Sequence, residues 1–167
     1  MSRDHILVID DDPLFRSLIT SMLRREYFVT VACDGSEGYY KALEEAPQLA
    51  IIDVQMPGWD GLRTLQALRA HQALARIPVM MLTSDASRRT VLASIENGAN
   101  DYVIKTTMSR DELLKKVKHL VHLAPNRKAE VAAGDDAPSI DGQTAGDPVH
   151  PANDEAAALQ ALLDNWE

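Results

Sequence analysis

The chain has 167 residues and a formal net charge of −8, with 46% hydrophobic and 25% charged side chains, so a packed core is available and wholesale disorder is excluded. The acidic balance argues against a general grip on nucleic acid. A single cysteine, Cys33, excludes an internal disulfide and a Cys-based zinc site, and no apolar run approaches the ~18 residues of a membrane span.

The first residues, Met1 to Ile6, carry no hydrophobic leader, so the expected location is cytoplasmic. Ile6-Leu7-Val8-Ile9 reads as a buried strand. Leu14, Phe15, Leu18, Ile19, Met22 and Leu23 then recur at helical spacing. Phe28 to Val31 form a second strand, and residues 36–45 a helix stopped by Pro47. Leu49 to Ile52 form a third strand, and Leu62, Leu65 and Leu68 mark a third helix. Val79 to Leu82 give a fourth strand. Val91, Leu92 and Ile95 give a fourth helix, ended by Asn97-Gly98. Tyr102 to Ile104 make the fifth strand. Leu113, Leu114, Val117, Leu120 and Val121 make the last helical stripe, capped by Ser109 with Asp111 and Glu112 in its first turn.

Strands that are apolar throughout are buried on both faces. Five of them alternating with five helices predict an α/β fold, a doubly wound five-stranded parallel sheet of flavodoxin-like type. In such a sheet the functional residues gather at the carboxyl ends of the strands. Asp10 and Asp11 follow the first strand, Asp53 the third, Thr83 the fourth and Lys105 the fifth. Crowded carboxylates raise one another's pKa, and a hard divalent cation with oxygen ligands, Mg²⁺ in type, relieves the repulsion. Helix capping explains one acid per strand end, but not an Asp pair, a Thr and a Lys on one rim.

These residues resemble a response-regulator receiver domain, the phosphoacceptor module of two-component signalling. The likeness rests on Ile6 to Pro13, Ile51 to Leu62, Pro78 to Ser84 and Gly98 to Lys105, and covers about residues 4–123 in one unbroken order. It implies that Asp53 accepts the phosphoryl group and that Asp10, Asp11, Asp53 and the backbone carbonyl of Gln55 hold Mg²⁺. It further implies that Lys105 pairs with the phosphoryl group while Thr83 hydrogen-bonds it. Tyr102 matches the aromatic that swings inward when the Thr moves, and the face made by the fourth helix, fifth strand and fifth helix then changes. Gln55 and Asp85, two past the acceptor and two past the Thr, correspond to positions that tune phosphoryl lifetime; the plainer alternative is a pair of solvated rim residues.

The family usually follows the Lys with Pro through a cis bond, whereas Thr106 and Thr107 follow Lys105 here. A cis bond at this place costs ~2.5–4 kcal/mol, so either tertiary contacts hold it or the loop is trans and differently shaped. Asp12 reads as the cap of the helix that begins at Pro13 rather than as a metal ligand. Trp59 is either loop packing or a fluorescent reporter of the site. Cys33 reads as a small buried or loop residue and His119 and His122 as solvated surface. Arg24-Arg25, Arg88-Arg89 and Lys115-Lys116-Lys118 read as solvated helix faces, and those on the fourth and fifth helices could instead meet acids across a receiver dimer or on a partner.

Residues 124–167 carry a net −7, leaving the first 123 nearly neutral. Residues 124–152 are rich in Ala, Gly, Asp and Pro and read as a flexible acidic linker. In residues 153–167, Leu159, Leu162, Leu163 and Trp166 fall on one stripe of a short amphipathic helix that needs a surface to dock on, in its own chain or another. This segment lacks a basic face, which argues against membrane binding, and it is shorter than the usual DNA-binding output domain. The domain organisation expected is therefore a receiver over 1–123, a linker and a docking helix. The expected function is a single-domain response regulator, not an enzyme in the ordinary sense. A histidine kinase or phosphotransfer protein stands upstream and a protein target downstream. The alternative is a phosphorylation-independent adaptor acting through the C-terminal helix.

Overall fold

The computed structural model describes residues 2–125. The linker and the docking stripe of Leu159, Leu162, Leu163 and Trp166 lie outside the described residues. Elements alternate in the order β1 (His5–Ile9), α1 (Pro13–Leu23), β2 (Phe28–Ala32), α2 (Gly35–Glu44), β3 (Leu49–Asp53), α3 (Gly61–Ala70), β4 (Val79–Thr83), α4 (Arg88–Glu96), β5 (Asp101–Ile104) and α5 (Arg110–Leu123). The five strands form one parallel sheet in the order β2-β1-β3-β4-β5. The order reverses between β1 and β3, and that switch point opens a crevice at the carboxyl edge.

Alternate side chains on the central strands serve two separate cores, as a period of two requires. Leu7, Ile9, Ala50, Ile52, Val79 and Met81 pack with Tyr39 and Ala42 of α2 and Leu65 and Leu68 of α3. Ile6, Val8, Ile51, Met80, Leu82 and Val103 pack with Ile19 and Leu23 of α1 and Leu113, Val117 and Leu120 of α5. Met80 and Met81 are thus core, one on each side. Each fully buried Leu or Ile contributes about 1.5–3 kcal/mol of transfer energy, so these two layers dominate the stability.

The helix starts follow the sequence. Asp12, Asp34, Asp60, Ser87 and Ser109 each accept a backbone N–H of the following first turn, and each cap is worth about 1 kcal/mol. Helix α4 ends at Asn97 with Gly98 at φ +96°, the left-handed conformation that ends helices at low cost when Gly supplies it. Arg69 of α3 secures that corner. Its guanidinium donates to the carbonyls of Gly98, Ala75 and Ile77 and to Asn100 Oδ1. Gln66 adds a bond to Asn97 Oδ1 at 2.8 Å.

Three expectations need correction. β2 is an edge strand, and only Ala32 of it is buried; Phe28 is 51% exposed. A strand with one neighbour in the sheet leaves its outer edge open and buries less than a central strand. The apolar spacing of α4 does not mark a buried stripe either: Leu92 and Ile95 stand 42% and 51% exposed and the buried residue is Ser94. In α1, Leu14 is 80% exposed and only Ile19 and Leu23 are fully buried. The boundaries also shift slightly, since Asp53 and Thr83 close their strands rather than follow them and α2 covers Gly35–Glu44 instead of 36–45.

Candidate functional site

Register brings the predicted rim together. Asp10 follows β1, Asp53 ends β3, Thr83 ends β4 and Lys105 follows β5, all on the carboxyl edge. Asp10, Asp53 and Thr83 are buried, and Asp11 is exposed at the mouth. Carboxylate oxygens of Asp10, Asp11 and Asp53 lie within 4.8 Å of one another. The Lys105 ammonium reaches in from β5, 2.7 Å from Asp10 Oδ2 and 3.2 Å from Asp53 Oδ2.

The surrounding backbone fixes these groups. Asp10 Oδ1 accepts the Asp12 N–H at 2.9 Å, while the Asp10 carbonyl accepts from the Arg16 guanidinium at 2.7 Å. Gln55 N–H donates to Asp53 Oδ1 at 3.4 Å, and the Gln55 side chain is exposed. Gly61 opens α3 hard against the Asp53 carbonyl, and a Cβ there would collide with that backbone. Lys105 N–H donates to the Thr83 carbonyl at 2.8 Å, and all peptide bonds among the described residues are trans, the Lys105–Thr106 bond included. The differently shaped trans loop is thus the one adopted, and it still delivers the ammonium to the acids.

The electrostatics suit anion chemistry that needs a counter-ion. Burial, reinforced by the Asp10 charge, raises Asp53 from 3.8 to about 6 despite the opposing pull of Lys105. Burial pulls Lys105 down, but its contacts with Asp10 and Asp53 outweigh this and leave it above its ordinary value. Asp10 Oδ2 has no well-aligned hydrogen bond and meets only the ammonium as an ion pair. An under-satisfied buried carboxylate oxygen, two neighbouring carboxylates and an all-oxygen donor set fit a hard divalent cation such as Mg²⁺.

The switch residues sit beside this centre. Thr83 Oγ1 donates to the Asp85 carbonyl at 2.8 Å and accepts the Asp85 N–H at 3.0 Å. The Asp85 carboxylate accepts from Ser87 N, Ser87 Oγ and Thr90 Oγ1, which holds it below the usual carboxylate range. Asp85 is therefore committed to the start of α4. Tyr102 is half-buried on β5, with Lys116 bonded to its carbonyl and the Lys116 ammonium 5.8 Å from its ring centre.

The secondary residues fall as plainer readings suggest. Asp12 caps α1 through Leu14 N–H. Trp59 packs in its loop against Tyr39 and under the Arg63 guanidinium. Cys33 is an exposed loop residue whose thiol donates to Glu37 at 2.8 Å, a contact that raises its pKa and lowers its thiolate fraction. His119, His122, Arg88, Arg89, Lys115 and Lys118 are exposed, whereas Lys116 is half-buried and paired with Asp101. One residue was missed as part of the site: the ring of Phe15 lies 4.3 Å from the Lys105 ammonium. In sequence it is one more member of the α1 apolar stripe, and nothing in that spacing distinguishes it.

Residues 6–118 match the response regulator receiver domain, and the chain belongs to that family. It is 35% identical over 130 residues to the DNA-binding response regulator MtrA of Mycolicibacterium smegmatis, covering 77% of this chain and 55% of that protein. A putative response regulator from Chloroflexus aurantiacus superposes with a TM-score of 0.69 at 30% identity, over 72% of this chain and 99% of that one. The receiver domain of the sensor histidine kinase PA1611 of Pseudomonas aeruginosa, solved with magnesium coordinated in its active-site cleft, gives 0.68 at 27% identity, over 72% and 99%. The chain spans about half the length of MtrA and of the transcriptional regulatory protein GltR of Pseudomonas aeruginosa, and 7% of the hybrid signal transduction histidine kinase D of Dictyostelium discoideum. Receiver domains of two-component systems are phosphoacceptors that interact with histidine kinases and downstream targets. Among the described residues no helix is long and apolar enough to cross a membrane.

Proposed function

We propose that this protein is a single-domain response regulator in which Asp53 takes a phosphoryl group from the phosphohistidine of a kinase or phosphotransfer protein. The observation that carries the reading is the Lys105 ammonium held between Asp10 and Asp53 on a rim of three convergent carboxylates. A carboxylate oxygen of Asp53 attacks phosphorus, the P–N bond breaks, and the histidine nitrogen leaves with its electron pair and takes a proton from solvent. The product is an acyl phosphate. Both reactants are anionic, so the step rests on position and charge compensation. Asp10, Asp11, Asp53 and the Gln55 carbonyl would hold Mg²⁺, which supplies charge neutralisation at the phosphoryl oxygens. Lys105 turns from Asp53 to the new oxygens.

Thr83 gives up its bonds to Asp85 and donates to the phosphoryl group instead. That frees the start of α4, lets Tyr102 move inward and changes the α4–β5–α5 surface presented to a protein target. Exposed Leu92 and Ile95, flanked by Arg88 and Arg89, support a protein-binding role for that surface. The self-hydrolysis expected of such an acyl phosphate belongs to the same reading, with Gln55 and Asp85 tuning its rate. Incubation with acetyl phosphate and Mg²⁺ followed by intact mass is the test. A gain of roughly 80 Da, one phosphoryl group, that disappears in Asp53→Asn supports the reading. No gain from acetyl phosphate or from a cognate kinase removes it.

A further inference from the structure

We propose that Phe15 is a positioning residue that holds the Lys105 ammonium in register for phosphoryl transfer, an inference that rests on the phosphoacceptor reading. Three groups surround this ammonium: Asp10 Oδ2 at 2.7 Å, Asp53 Oδ2 at 3.2 Å and the Phe15 ring with its centre at 4.3 Å. The Lys105 side chain is only 15% exposed. Its stem is four flexible carbons, and the following residues, Thr106 and Thr107, are exposed. The placement of the charge therefore depends on what the head meets.

Two of those three partners change during the reaction. Asp53 becomes an acyl phosphate, and Asp10 is shared with the cation. The aromatic face does not change. It attracts the ammonium through its quadrupole and offers no oxygen to compete with the phosphoryl group for the N–H donors. It also keeps water from one side of the charge, which strengthens the pull of that charge on the developing anion.

The ring is itself well anchored. Phe15 is the third residue of α1, the helix that Asp12 caps and that Arg16 ties to the Asp10 carbonyl. It packs against the core layer of Ile6, Val8 and Leu113. The segment that carries the acid pair thus also carries the ring that faces the lysine.

The test compares full-length wild type, Phe15→Leu, Phe15→Trp, Lys105→Ala and the Phe15→Leu/Lys105→Ala double variant. Rates of phosphorylation by acetyl phosphate at saturating Mg²⁺ are read by intact mass. Phe15→Leu keeps apolar volume and removes the π face, and is expected to slow the reaction about 3–10-fold, the size of a partly desolvated cation–π contact. Phe15→Trp restores the rate. In the Lys105→Ala background the same Leu change alters the rate by less than about twofold, because the coupled partner is gone. Upfield ring-current shifts of the Lys105 ε-methylene protons, lost in Phe15→Leu, report the contact without any phosphoryl chemistry. Phe15→Met serves as the second non-aromatic variant if Leu lowers stability. Equal slowing with and without Lys105, or no slowing at all, overturns the proposal while leaving the phosphoacceptor reading intact. A wild type that takes no phosphoryl group sinks both.

Discussion

Thr83 and Asp85 bind each other in both directions: the Thr83 hydroxyl donates to the Asp85 carbonyl at 2.8 Å and accepts the Asp85 N–H at 3.0 Å. The Asp85 side chain continues the chain of bonds to Ser87 and Thr90 at the start of α4. One buried hydroxyl at the site is therefore also the first link to a surface helix.

Thr83→Val keeps the shape and cuts both bonds. Leaving a part-buried N–H without its acceptor costs about 1–3 kcal/mol, so urea denaturation should shift by that amount. Amide exchange at residues 88–91 should speed up by more than it does elsewhere. Uniform acceleration across the sheet would show that Thr83 acts on global stability and not on α4.

The acidity of Asp53 sets a pH dependence whose sign is fixed. Its folded value of about 6 lies above its unfolded 3.8, so the folded chain holds an extra proton between those values. Stability from this group is complete below 3.8 and is lost as pH rises through 6. Without divalent cations, Asp53→Asn should gain up to about 3 kcal/mol over wild type at pH 7.5 and nothing at pH 3.5. Thermal unfolding at the two pH values measures it, and Mg²⁺ should narrow the difference by stabilising only wild type.

The acid pair gives a binding prediction. Asp11 is exposed and Asp10 buried, yet both converge with Asp53. Asp11→Asn should weaken Mg²⁺ by at least the roughly 10–100-fold that outer-shell partners carry, with little change in thermal stability. Calorimetric titration of Mg²⁺ settles the affinity. An unchanged constant would remove Asp11 from the metal site.

Gly58 in the loop after β3 and Gly61 at the start of α3 should respond differently. Gly61 abuts the Asp53 carbonyl, whereas Gly58, at φ +75°, faces open space. Gly61→Ala forces backbone apart and should cost about 1–3 kcal/mol, as overpacking does. Gly58→Ala carries only the left-handed penalty of about 1–2 kcal/mol. Phosphorylation by acetyl phosphate should fall in the first and hold in the second, because only Gly61 touches the acceptor.

The sheet, its helices and the five rim residues were readable in the sequence because each rests on local rules. Unbroken apolar runs such as Leu49 to Ile52 are buried centrally, and polar residues at their ends share one edge. The faces of α1 and α4 were not readable. Leu14 and Leu92 have the spacing of core residues, and only the packed structure shows that no element among the described residues covers them. Phe15 escaped for the opposite reason: its stripe predicted a core contact, while its ring also meets a lysine ninety residues further along the chain. Asp85 read as a position that tunes phosphoryl lifetime, with a solvated rim residue as the alternative; its ties to Ser87 and Thr90 depend on how the loop before α4 turns and left no mark in the spacing.

The Arg69 contacts have a mechanical meaning. They fasten the far end of α4 to α3 and to the loop before β4, with Gln66 and Asn97 as a second fastening. The near end is tied to Asp85, which Thr83 holds through its hydroxyl, and to its own cap, Ser87. If α4 moves as the proposed switch requires, the Arg69 ties make Gly98 the expected pivot. On the proposed switch, a tug at Thr83 is expected to tilt the helix, with more displacement at Arg88 and Arg89 than at Ile95.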